Sequence, residues 1–413
     1  MIMSEWKEYR LGDILTIRSG FSYQGKFIGS GNSLLLGMGC VSYTERFIIS
    51  GARPYSGSYD KRYKVYPGDI VLATRQQSDN LPILAMPAMV PKNLKGKDLV
   101  IGTNLYKVEI TDKSFSNEYI YWLMKTKRYV NYIKGVKTGT TVSMVTKKNV
   151  EDFTFFAPTN PRERESLISI ISSLDYKIEN NRKICANLEA QAQALFKHWF
   201  IDFAPFKDGK FVESELGMIP EGWKVGTLED LGKIICGKTP SKANKSYYGS
   251  DIPFIKIPDM HENVFILKSE DNLSIEGSNS QLNKMIPEFS IMVSCIATVG
   301  LVAMNVKPSH TNQQINTIVP FQSCYRYYVY ENLKLRYKEL LMLGSSGTTT
   351  YNVNTSTFSS LKVLVPELRV IEDFNNVIKS HFEKILNLYQ ESSRLSSLRD
   401  TLLPKLMSGE IKV

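Results

Sequence analysis

The chain of 413 residues has few of the groups that build metal centres, disulfide frameworks or membrane anchors. It contains five cysteines and four histidines, and no two cysteines have the C-x-x-C spacing. Sparse cysteines in odd number indicate free thiols in a reducing compartment. No apolar run approaches the roughly 18 residues of a membrane span, and the polar N-terminus carries no signal-peptide pattern. These absences predict a cytoplasmic protein that binds no metal and no membrane.

Catalytic motifs are missing as well. The sequence has no G-x-S-x-G and no H-E-x-x-H. It also lacks the Asn/Asp-Pro-Pro-aromatic tetrapeptide of amino-methyltransferases. Gly37-Met38-Gly39 faintly resembles a nucleotide loop and Asp208-Gly209-Lys210 a metal-nuclease motif, but the accompanying residues are missing and surface turns are favoured. We therefore expect a protein that binds, without a cofactor of its own.

The composition is that of a globular protein with a basic excess. Hydrophobic residues make up 43% and charged residues 22% of the chain, and 51 lysines and arginines exceed 41 acidic residues by ten. This length suits two domains of about 150 residues with connectors. The net positive charge modestly favours a polyanionic partner.

The sequence is internally duplicated. A shift of 208 residues places Gly139-Thr140-Thr141 on Gly347-Thr348-Thr349 and Pro158 on Pro366. Near the start of each copy, Trp6 aligns with Trp223 and Gly20 with Gly237 at a shift of 217 residues. A period of about 210 residues is too long for a solenoid repeat and indicates that a whole domain was duplicated with its linker.

Each copy is predicted to mix strands and helices. Short β-rich runs come first, such as Ile70–Thr74 in the first copy and Ile291–Ile296 in the second. A helical stretch follows, from about residue 117 to 133 and from about 325 to 343. A Gly/Thr loop and a last strand then end at Pro158 or Pro366.

After each closing proline the apolar period changes to three and four, which is typical of a coiled coil. In the first copy, eight of nine such positions are apolar: Ile171, Leu174, Ile178, Asn181, Cys185, Leu188, Ala192, Leu195 and Trp199. The second copy has a less regular series: Ile378, His381, Ile385, Leu388, Ser392, Leu395, Arg399, Leu402 and Leu406.

The two periodic segments are predicted to pair as an antiparallel coiled coil, because the first must lead to the second domain and the second then returns. The predicted organisation is domain 1–160, helix 161–203, domain 204–366 and helix 367–413, in an α+β fold. Two separate amphipathic helices, each packed on its own domain, remain an alternative. The predicted interface comprises Ile171, Leu174, Ile178, Leu188, Leu195, Trp199, Ile378, Ile385, Leu395 and Leu402.

Two stretches without acidic residues could contact a phosphate backbone. Residues 119–150 contain seven basic residues interleaved with aromatic ones, and residues 231–250 contain four lysines. Lys137, Lys238, Lys242 and Lys245 belong to these stretches. A solvated basic helix face with its aromatic residues in the core is an equally open interpretation.

Polar loops could read base edges, because Gln and Asn can pair with adenine and Arg with guanine. The loops Thr74–Asn80 and Thr311–Gln314 offer such side chains, and the loops around Gly139 and Gly347 offer hydroxyls and amides for phosphates. Structural turns remain open for each loop. Beside the four lysines, the DNA-binding candidates are Arg75, Gln76, Gln77, Thr138, Thr140, Thr141, Gln313, Gln314, Thr348 and Thr349.

Three segments resemble the specificity subunits of type I restriction-modification systems. Leu188–Phe203 (LEAQAQALFKHWFIDF) is similar to their central conserved region, and Ser214–Lys224 (SELGMIPEGWK) to the start of their second target-recognition domain. Leu398–Ile411 (LRDTLLPKLMSGEI) is similar to their closing helix. The resemblance covers the whole chain.

The resemblance implies a non-catalytic, DNA-reading subunit of a multi-subunit enzyme. In that family each recognition domain reads one half of a split double-stranded DNA target, and the paired helices set the gap and dock two methyltransferase subunits. Restriction subunits complete the endonuclease, and S-adenosylmethionine, ATP and Mg are expected on these partners. Because the loops near Arg75 and Gln313 differ, we expect an asymmetric target. A self-sufficient methyltransferase or nuclease and a structural adapter are the alternatives.

Overall fold

The computed structural model describes residues 5–76, 83–94, 96–139, 141–345 and 351–412. The chain forms two compact units, each with helices and strands. The first unit is Met1–Lys177 with Leu395–Val413, and the second unit is Ile178–Arg394. The predicted α+β class with two duplicated domains and two long helices is confirmed. No helix within the described ranges is long and apolar enough to cross a membrane.

The first unit contains twelve short strands among its described residues and the start of a long helix. The strands are β1 Trp6–Arg10, β2 Leu15–Ser19, β3 Ile28–Leu36, β4 Arg53–Tyr55, β5 Lys64–Val65, β6 Ile70–Ala73, β7 Arg75–Gln76, β8 Pro87–Met89, β9 Asp98–Ile101, β10 Leu105–Ile110, β11 Ser143–Met144 and β12 Thr154–Pro158. The helices are α1 Leu11–Ile14, α2 Asn117–Met124, α3 Lys127–Val136, α4 Lys147–Glu151 and α5 Pro161–Phe200.

Two four-stranded sheets form the frame of the first unit, in the orders β2-β10-β6-β8 and β4-β3-β9-β5. Strand β1 pairs with β12, which fixes the start of the unit to the end of its globular part. The Ile70–Ala73 strand is buried on both faces, as its uninterrupted apolar sequence predicts. Its side chains contribute to two hydrophobic clusters, one on each side of the sheet.

The second unit repeats this plan. Its strands are β13 Phe211–Ser214, β14 Gly217–Pro220, β15 Lys224–Thr227, β16 Gly232–Cys236, β17 Tyr248–Ile255, β18 Phe265–Ile266, β19 Asp271–Leu273, β20 Ile291–Ser294, β21 Val302–Asn305, β22 His310–Thr311, β23 Ile315–Pro320 and β24 Lys362–Val365. Its helices are α6 Leu228–Leu231, α7 Ile257–Met260, α8 Ile275–Asn279, α9 Tyr325–Leu335, α10 Tyr337–Gly344, α11 Thr355–Ser359 and α12 Leu368–Met407.

The main sheet of the second unit has the order β16-β23-β20-β21-β18, so its first three strands repeat β2-β10-β6 of the first unit. The pair β15–β24 likewise repeats β1–β12. The shared strand order confirms the duplication that the sequence predicts.

The helical stretch predicted in each copy is divided into two helices. In the first unit the break falls at Thr126, whose hydroxyl donates to Leu123 O at 2.7 Å and accepts from Tyr129 N at 3.3 Å. Thr126 thus ends one helix and caps the next, as threonine commonly does. In the second unit the break falls at Arg336, where ψ is 15°. Neither break is marked by a proline or a glycine, so the sequence did not reveal them.

The two long helices run antiparallel within each unit. In the second unit, Asn181 Nδ2 donates to Glu391 Oε2 at 2.7 Å, and His381 Nε2 lies 3.3 Å from Gln191 Oε1. Asn181 is 1% exposed, and a polar residue in such a seam specifies the register. In the first unit, Asp175 of α5 pairs with Arg399 of α12. The antiparallel prediction is confirmed.

The helices also pack on the globular part of their unit. Phe382 of α12 stacks on Tyr327 with 4.3 Å between ring centroids and is fully buried, whereas the predicted seam residue His381 is only half-buried. The helix therefore turns part of its apolar surface toward α9. Ile171, Ile178, Ile378 and Ile385 of the predicted interface are buried. Leu174, Leu188, Leu195, Trp199, Leu395 and Leu402 are half-buried.

A buried carboxyl in the second unit predicts a pH-dependent stability. Glu331 of α9 is 1% exposed, and burial raises its pKa to about 8, with the nearby Glu189 adding to the shift and Lys334 opposing it. Because the folded pKa exceeds the unfolded one, stability is lost as the pH rises from about 4.5 to 8. We expect Glu331→Gln to unfold like wild type at about pH 5.

At about pH 8.5, Glu331→Gln should be more stable than wild type by on the order of 4 kcal/mol, because burial of the wild-type carboxylate is then unfavourable. Urea unfolding at both pH values measures this difference. Glu288→Gln, at an exposed position of the same unit, is the control. An equal effect of Glu331→Gln at both pH values would contradict the assignment.

Candidate nucleic-acid interface

Loops at one end of the main sheet in each unit carry five of the predicted DNA-binding residues, namely Arg75, Gln76, Lys238, Gln313 and Gln314. We call this end the loop edge. In the first unit it consists of Gly20–Tyr23, Thr74–Gln76, Ile101–Asn104 and Met144–Val145. In the second unit it consists of Gly237–Pro240, Cys295–Ala297, Thr311–Gln314 and Tyr351–Val353.

The two loop edges are built by equivalent main-chain hydrogen bonds. Four of them occur in both units: Gly20 N to Leu105 O and Gly237 N to Ile315 O; Phe21 N to Ile101 O and Lys238 N to Thr311 O; Thr74 N to Asn104 O and Cys295 N to Gln314 O; Val145 N to Thr74 O and Val353 N to Cys295 O. All eight distances lie between 2.8 and 3.2 Å. The duplicated frame therefore aligns the loops residue by residue.

This alignment corrects the sequence comparison between Arg75 and Gln313. Thr74 N donates to Asn104 O in the first unit, and Cys295 N donates to Gln314 O in the second. Arg75 and Ile296, which directly follow these two donors, are therefore equivalent. Gln313 is equivalent to Thr103, which lies between Gly102 and Asn104. The two loops that the sequence suggested as counterparts are different parts of the edge. Both pairs of true counterparts nevertheless differ in chemistry.

A glycine is required where two segments of each loop edge cross. These segments are Gly20–Tyr23 and Ile101–Asn104 in the first unit, and Gly237–Pro240 and Thr311–Gln314 in the second. A Cβ on Gly20 would lie 2.1 Å from Gly102 O, and a Cβ on Gly237 would lie 2.2 Å from Asn312 O. Both distances are far below contact, so any side chain would push the loops apart. This explains why the Gly20–Gly237 match is part of the duplication.

In the first unit the structure brings Arg75 and Thr138 together. Arg75 pairs with Met144 across β7–β11, and Thr138 exchanges two main-chain hydrogen bonds with the same Met144. Arg75, Thr138 and Thr141 are exposed. Lys137 is half-buried beside them and its main-chain N–H closes α3 on Ile133 O. The cluster presents one guanidinium and two hydroxyls to solvent.

Gln76 occupies a structural position in the same edge. Its side chain is buried, and Oε1 accepts from Leu84 N at 3.1 Å. This carbonyl therefore holds a neighbouring segment of the main chain. Gln77, Thr140, Thr348 and Thr349, which the sequence also suggests, lie outside the described residues.

In the second unit the predicted lysines lie on the chain segment that begins at the loop edge with Gly237–Pro240 and continues to β17. Lys238, Lys242 and Lys245 are all exposed on the connection between β16 and β17. Gln313 is exposed next to Lys238, and its Oε1 accepts from Thr239 Oγ1 at 2.6 Å. Gln314 is half-buried and its Oε1 accepts from Asn312 Nδ2 at 2.9 Å. The segment thus combines three cations with one exposed amide.

The aromatic residues of the basic stretch 119–150 belong to the core. Tyr119, Tyr121, Trp122 and Tyr129 are each at most 2% exposed. They pack in the largest hydrophobic cluster of the first unit, so they are not available to stack on bases. For these aromatic side chains, the interpretation as a core face beneath a basic surface is the one that holds.

Lys125 of the same stretch also has a structural position. Its ammonium lies within hydrogen-bond distance of three main-chain carbonyls, of Ser42, Tyr43 and Glu45. It therefore fixes the loop that follows Cys40. The exposed cations Lys127, Arg128, Lys134 and Lys148 remain on the surface of this stretch.

Sequence reasoning missed Thr239 and Thr103. Thr239 bonds to a residue 74 positions away, and Thr103 Oγ1 donates to Phe21 O at 2.9 Å across 82 positions. Such contacts depend on how the loops cross. The Gly20–Gly237 match was the available signal, because it marks the crossing next to both threonines.

The fold and its edges define a duplicated binding protein, and comparisons with known proteins agree. Two segments, residues 3–190 and 220–388, match one family model, described as the type I restriction modification DNA specificity domain. The chain therefore belongs to the family of type I restriction-modification specificity subunits.

Two relatives in this family match along nearly their whole length. The HindI specificity subunit of Haemophilus influenzae is 37% identical over 474 aligned residues, which cover 99% of this chain and 100% of the relative. The MjaIX specificity subunit of Methanocaldococcus jannaschii is 26% identical, and the match covers 100% of this chain and 95% of the relative. The solved S subunit from M. genitalium has the same fold, with a TM-score of 0.59, 14% identity, and coverage of 98% and 96%.

Proposed function

We propose that this chain is the DNA-reading subunit of a type I restriction-modification complex. Each unit reads one half of a bipartite, asymmetric target through its loop edge. The observation that carries the proposal is the duplication itself: one family domain occurs twice, and each copy builds the same edge from equivalent hydrogen bonds. Two equivalent edges suit a target with two half-sites.

The chemistry of the edges suits a DNA duplex. Lys238, Lys242 and Lys245 provide exposed cations for the phosphate backbone, which supplies most of the non-specific affinity. Arg75 and Gln313 provide exposed side chains of the types that read base edges in the major groove. Positioning contacts and specific contacts are thus present side by side.

The asymmetry of the target follows from the equivalent positions. Arg75 of the first unit corresponds to Ile296 of the second, and Thr103 corresponds to Gln313. The Arg75 guanidinium can donate two hydrogen bonds to guanine, whereas the Ile296 side chain can make only apolar contacts. The Thr103 hydroxyl already donates to Phe21 O, whereas the Gln313 amide keeps its N–H donors. The two half-sites should therefore differ in sequence.

The partners follow from the family. The long helices dock two methyltransferase subunits, and restriction subunits join that complex. The segment Leu188–Phe203, which resembles the central region of the family, lies at the end of the first long helix. The methyl donor, ATP and Mg bind to those partner subunits. This chain selects the DNA target and does not carry out catalysis. A self-sufficient enzyme and a structural adapter are the competing functions.

An electrophoretic shift assay with the purified methyltransferase partner tests the proposal. The complex should bind one DNA sequence in the presence of excess random DNA, and added salt should weaken the binding. Binding of all sequences with equal affinity would favour an adapter with incidental basic patches. Methylation or cleavage by this chain alone would favour a self-sufficient enzyme.

A further inference from the structure

The amide of Gln313 is held in one orientation although it lies at the surface. Gln313 is exposed, yet its Oε1 accepts a hydrogen bond of 2.6 Å from Thr239 Oγ1. A free glutamine side chain at the surface would sample many rotamers, and ordering it costs conformational entropy. The hydroxyl of Thr239 removes this freedom before any ligand binds.

The loop that carries Thr239 is itself fixed on both sides. Lys238 N donates to Thr311 O at 2.9 Å, and Lys238 O accepts from Gln281 Nε2 at 2.9 Å. Gly237 lies so close to Asn312 that no Cβ would fit. Thr239 therefore has little freedom to move relative to the loop of Gln313.

A buried polar network supports the loop from behind. Gln281 is 3% exposed and its Nε2 lies 3.4 Å from His310 Nδ1, while His310 Nε2 lies 2.9 Å from Ser278 Oγ. Burial lowers the pKa of His310 to about 4, so the ring is neutral at physiological pH. The support does not change its charge in the pH range of a cell.

This geometry decides which group of Gln313 faces outward. With Oε1 turned to Thr239, the Nε2 group presents its N–H donors to solvent. A glutamine that pairs with adenine in two places must offer both its oxygen and its nitrogen. An amide held by its oxygen favours instead a base edge that carries acceptors.

We propose that Thr239 is a positioning residue that fixes Gln313 as a hydrogen-bond donor for one guanine or thymine of the second unit's half-site. Guanine offers O6 and N7 as acceptors in the major groove, and thymine offers O4. Cytosine presents its N4 donor there and is disfavoured. The inference rests on the proposed function, since it names the chemistry of one contact within it.

The first unit has no equivalent device at this position. Thr103 corresponds to Gln313, and its hydroxyl already donates to Phe21 O at 2.9 Å. Ser22, which corresponds to Thr239, is exposed. The fixed Gln313 amide therefore affects only the half-site that the second unit reads. The half-site that the first unit reads serves as an internal control.

Three variants test the inference in the complete complex with the methyltransferase partner. Thr239→Val removes the hydroxyl at nearly constant shape, and Thr239→Ser retains it. Gln313→Glu keeps an oxygen for Thr239 and replaces the outward donor with an acceptor. Methylation rates are measured on a DNA set with every single-base change in both half-sites.

Thr239→Val should lower the discrimination at one base position of one half-site by about tenfold, within the range of one such contact. Thr239→Ser should retain the wild-type profile. Gln313→Glu should shift the preference at that same position toward cytosine, whose N4 is a donor. Ser22→Ala, the matched control, should leave the discrimination at the half-site read by the second unit unchanged.

Two results would overturn the inference while leaving the proposed function intact. One is a wild-type profile for Thr239→Val. The other is a uniform loss of rate on all sequences, which a merely structural role would produce. A wild-type complex without any sequence preference would refute the proposed function and the inference together.

Discussion

Replacing Asp175 with alanine should destabilise the first unit by about 3 kcal/mol. The Asp175 carboxylate is 8% exposed and bridges two guanidiniums, with Oδ2 3.3 Å from Arg46 Nη1 and Oδ1 2.6 Å from Arg399 Nη1. Both arginines are nearly buried, at 10% and 13% exposure. Removing one partner of a buried ion pair costs about 3–5 kcal/mol, since the remaining charge stays desolvated.

The lower end of that range applies because each arginine keeps another partner. Arg46 Nη2 also pairs with Glu118 Oε1 at 2.5 Å, and Arg399 Nη2 with Asp400 Oδ1 at 2.9 Å. Hydrogen exchange followed by mass spectrometry measures the loss separately for the helices of each unit. Exchange in α2 should accelerate, because Glu118 and Trp122 pack around Arg46.

Asp400→Ala is the matched control. It removes a carboxylate from the same Arg399, but Asp400 is 65% exposed. Exposed ion pairs contribute about 0–1 kcal/mol, so this variant should unfold nearly as wild type. Equal effects of the two variants would show that the buried network does not hold α5 and α12 on the first unit.

Replacing Lys242 and Lys245 with serine should weaken DNA binding by about 30-fold at 0.15 M salt. Each phosphate neutralised by a lysine contributes roughly 0.9 to the slope of log K against log salt, so removing two lysines changes the slope by about 1.8. Over the interval from about 1 M to 0.15 M salt, this change in slope amounts to an affinity loss of about 30-fold. Both lysines are exposed on the connection between β16 and β17. The ranking of DNA sequences should not change, since phosphate contacts carry no base information.

The salt slope is the decisive measurement for these lysines. It should fall by about 2 in the double variant, in a titration of the complex with its partner at several salt concentrations. Lys268→Ser with Lys307→Ser changes the charge by the same amount. Those lysines are exposed beyond the ends of β18 and β21, at the other end of the sheet from the loop edge. An equal loss in both double variants would contradict a DNA site at the loop edge.

The regular parts of the fold could be predicted because their periods repeat over many residues. The series from Ile171 to Trp199 indicates a long helix by its 3-4 spacing alone, and α5 follows it from Pro161 to Phe200. The buried strand Ile70–Ala73 is likewise evident from its apolar run. These signals are local, so no knowledge of distant contacts is needed.

The composition of the loop edge could not be predicted, because the loops between equivalent strands differ in length. The shift between equivalent residues is 217 at Gly20, 221 at Thr74, 210 at Asn104 and 208 at Met144. A single shift therefore misaligns Arg75 and Gln313. Their true counterparts, Ile296 and Thr103, emerge only from hydrogen bonds between segments distant in sequence.

Burial separated structural from exposed candidates where sequence patterns could not. Gln76 and Lys125 have the residue types expected of DNA contacts, yet each holds main-chain groups of its own unit. Their neighbours Arg75 and Lys127 are exposed. Whether a polar side chain binds its own fold or a partner depends on the direction of the chain at that residue, which composition does not determine.

Sequencing the methylated bases in the genome of a host that carries this gene and its methyltransferase tests the central claim most directly. The account predicts one methylated motif with two different half-sites separated by a fixed gap of unspecified bases. Substitutions at the loop edge of the second unit should alter one half-site only. A palindromic motif, or methylation that does not depend on this chain, would contradict the account.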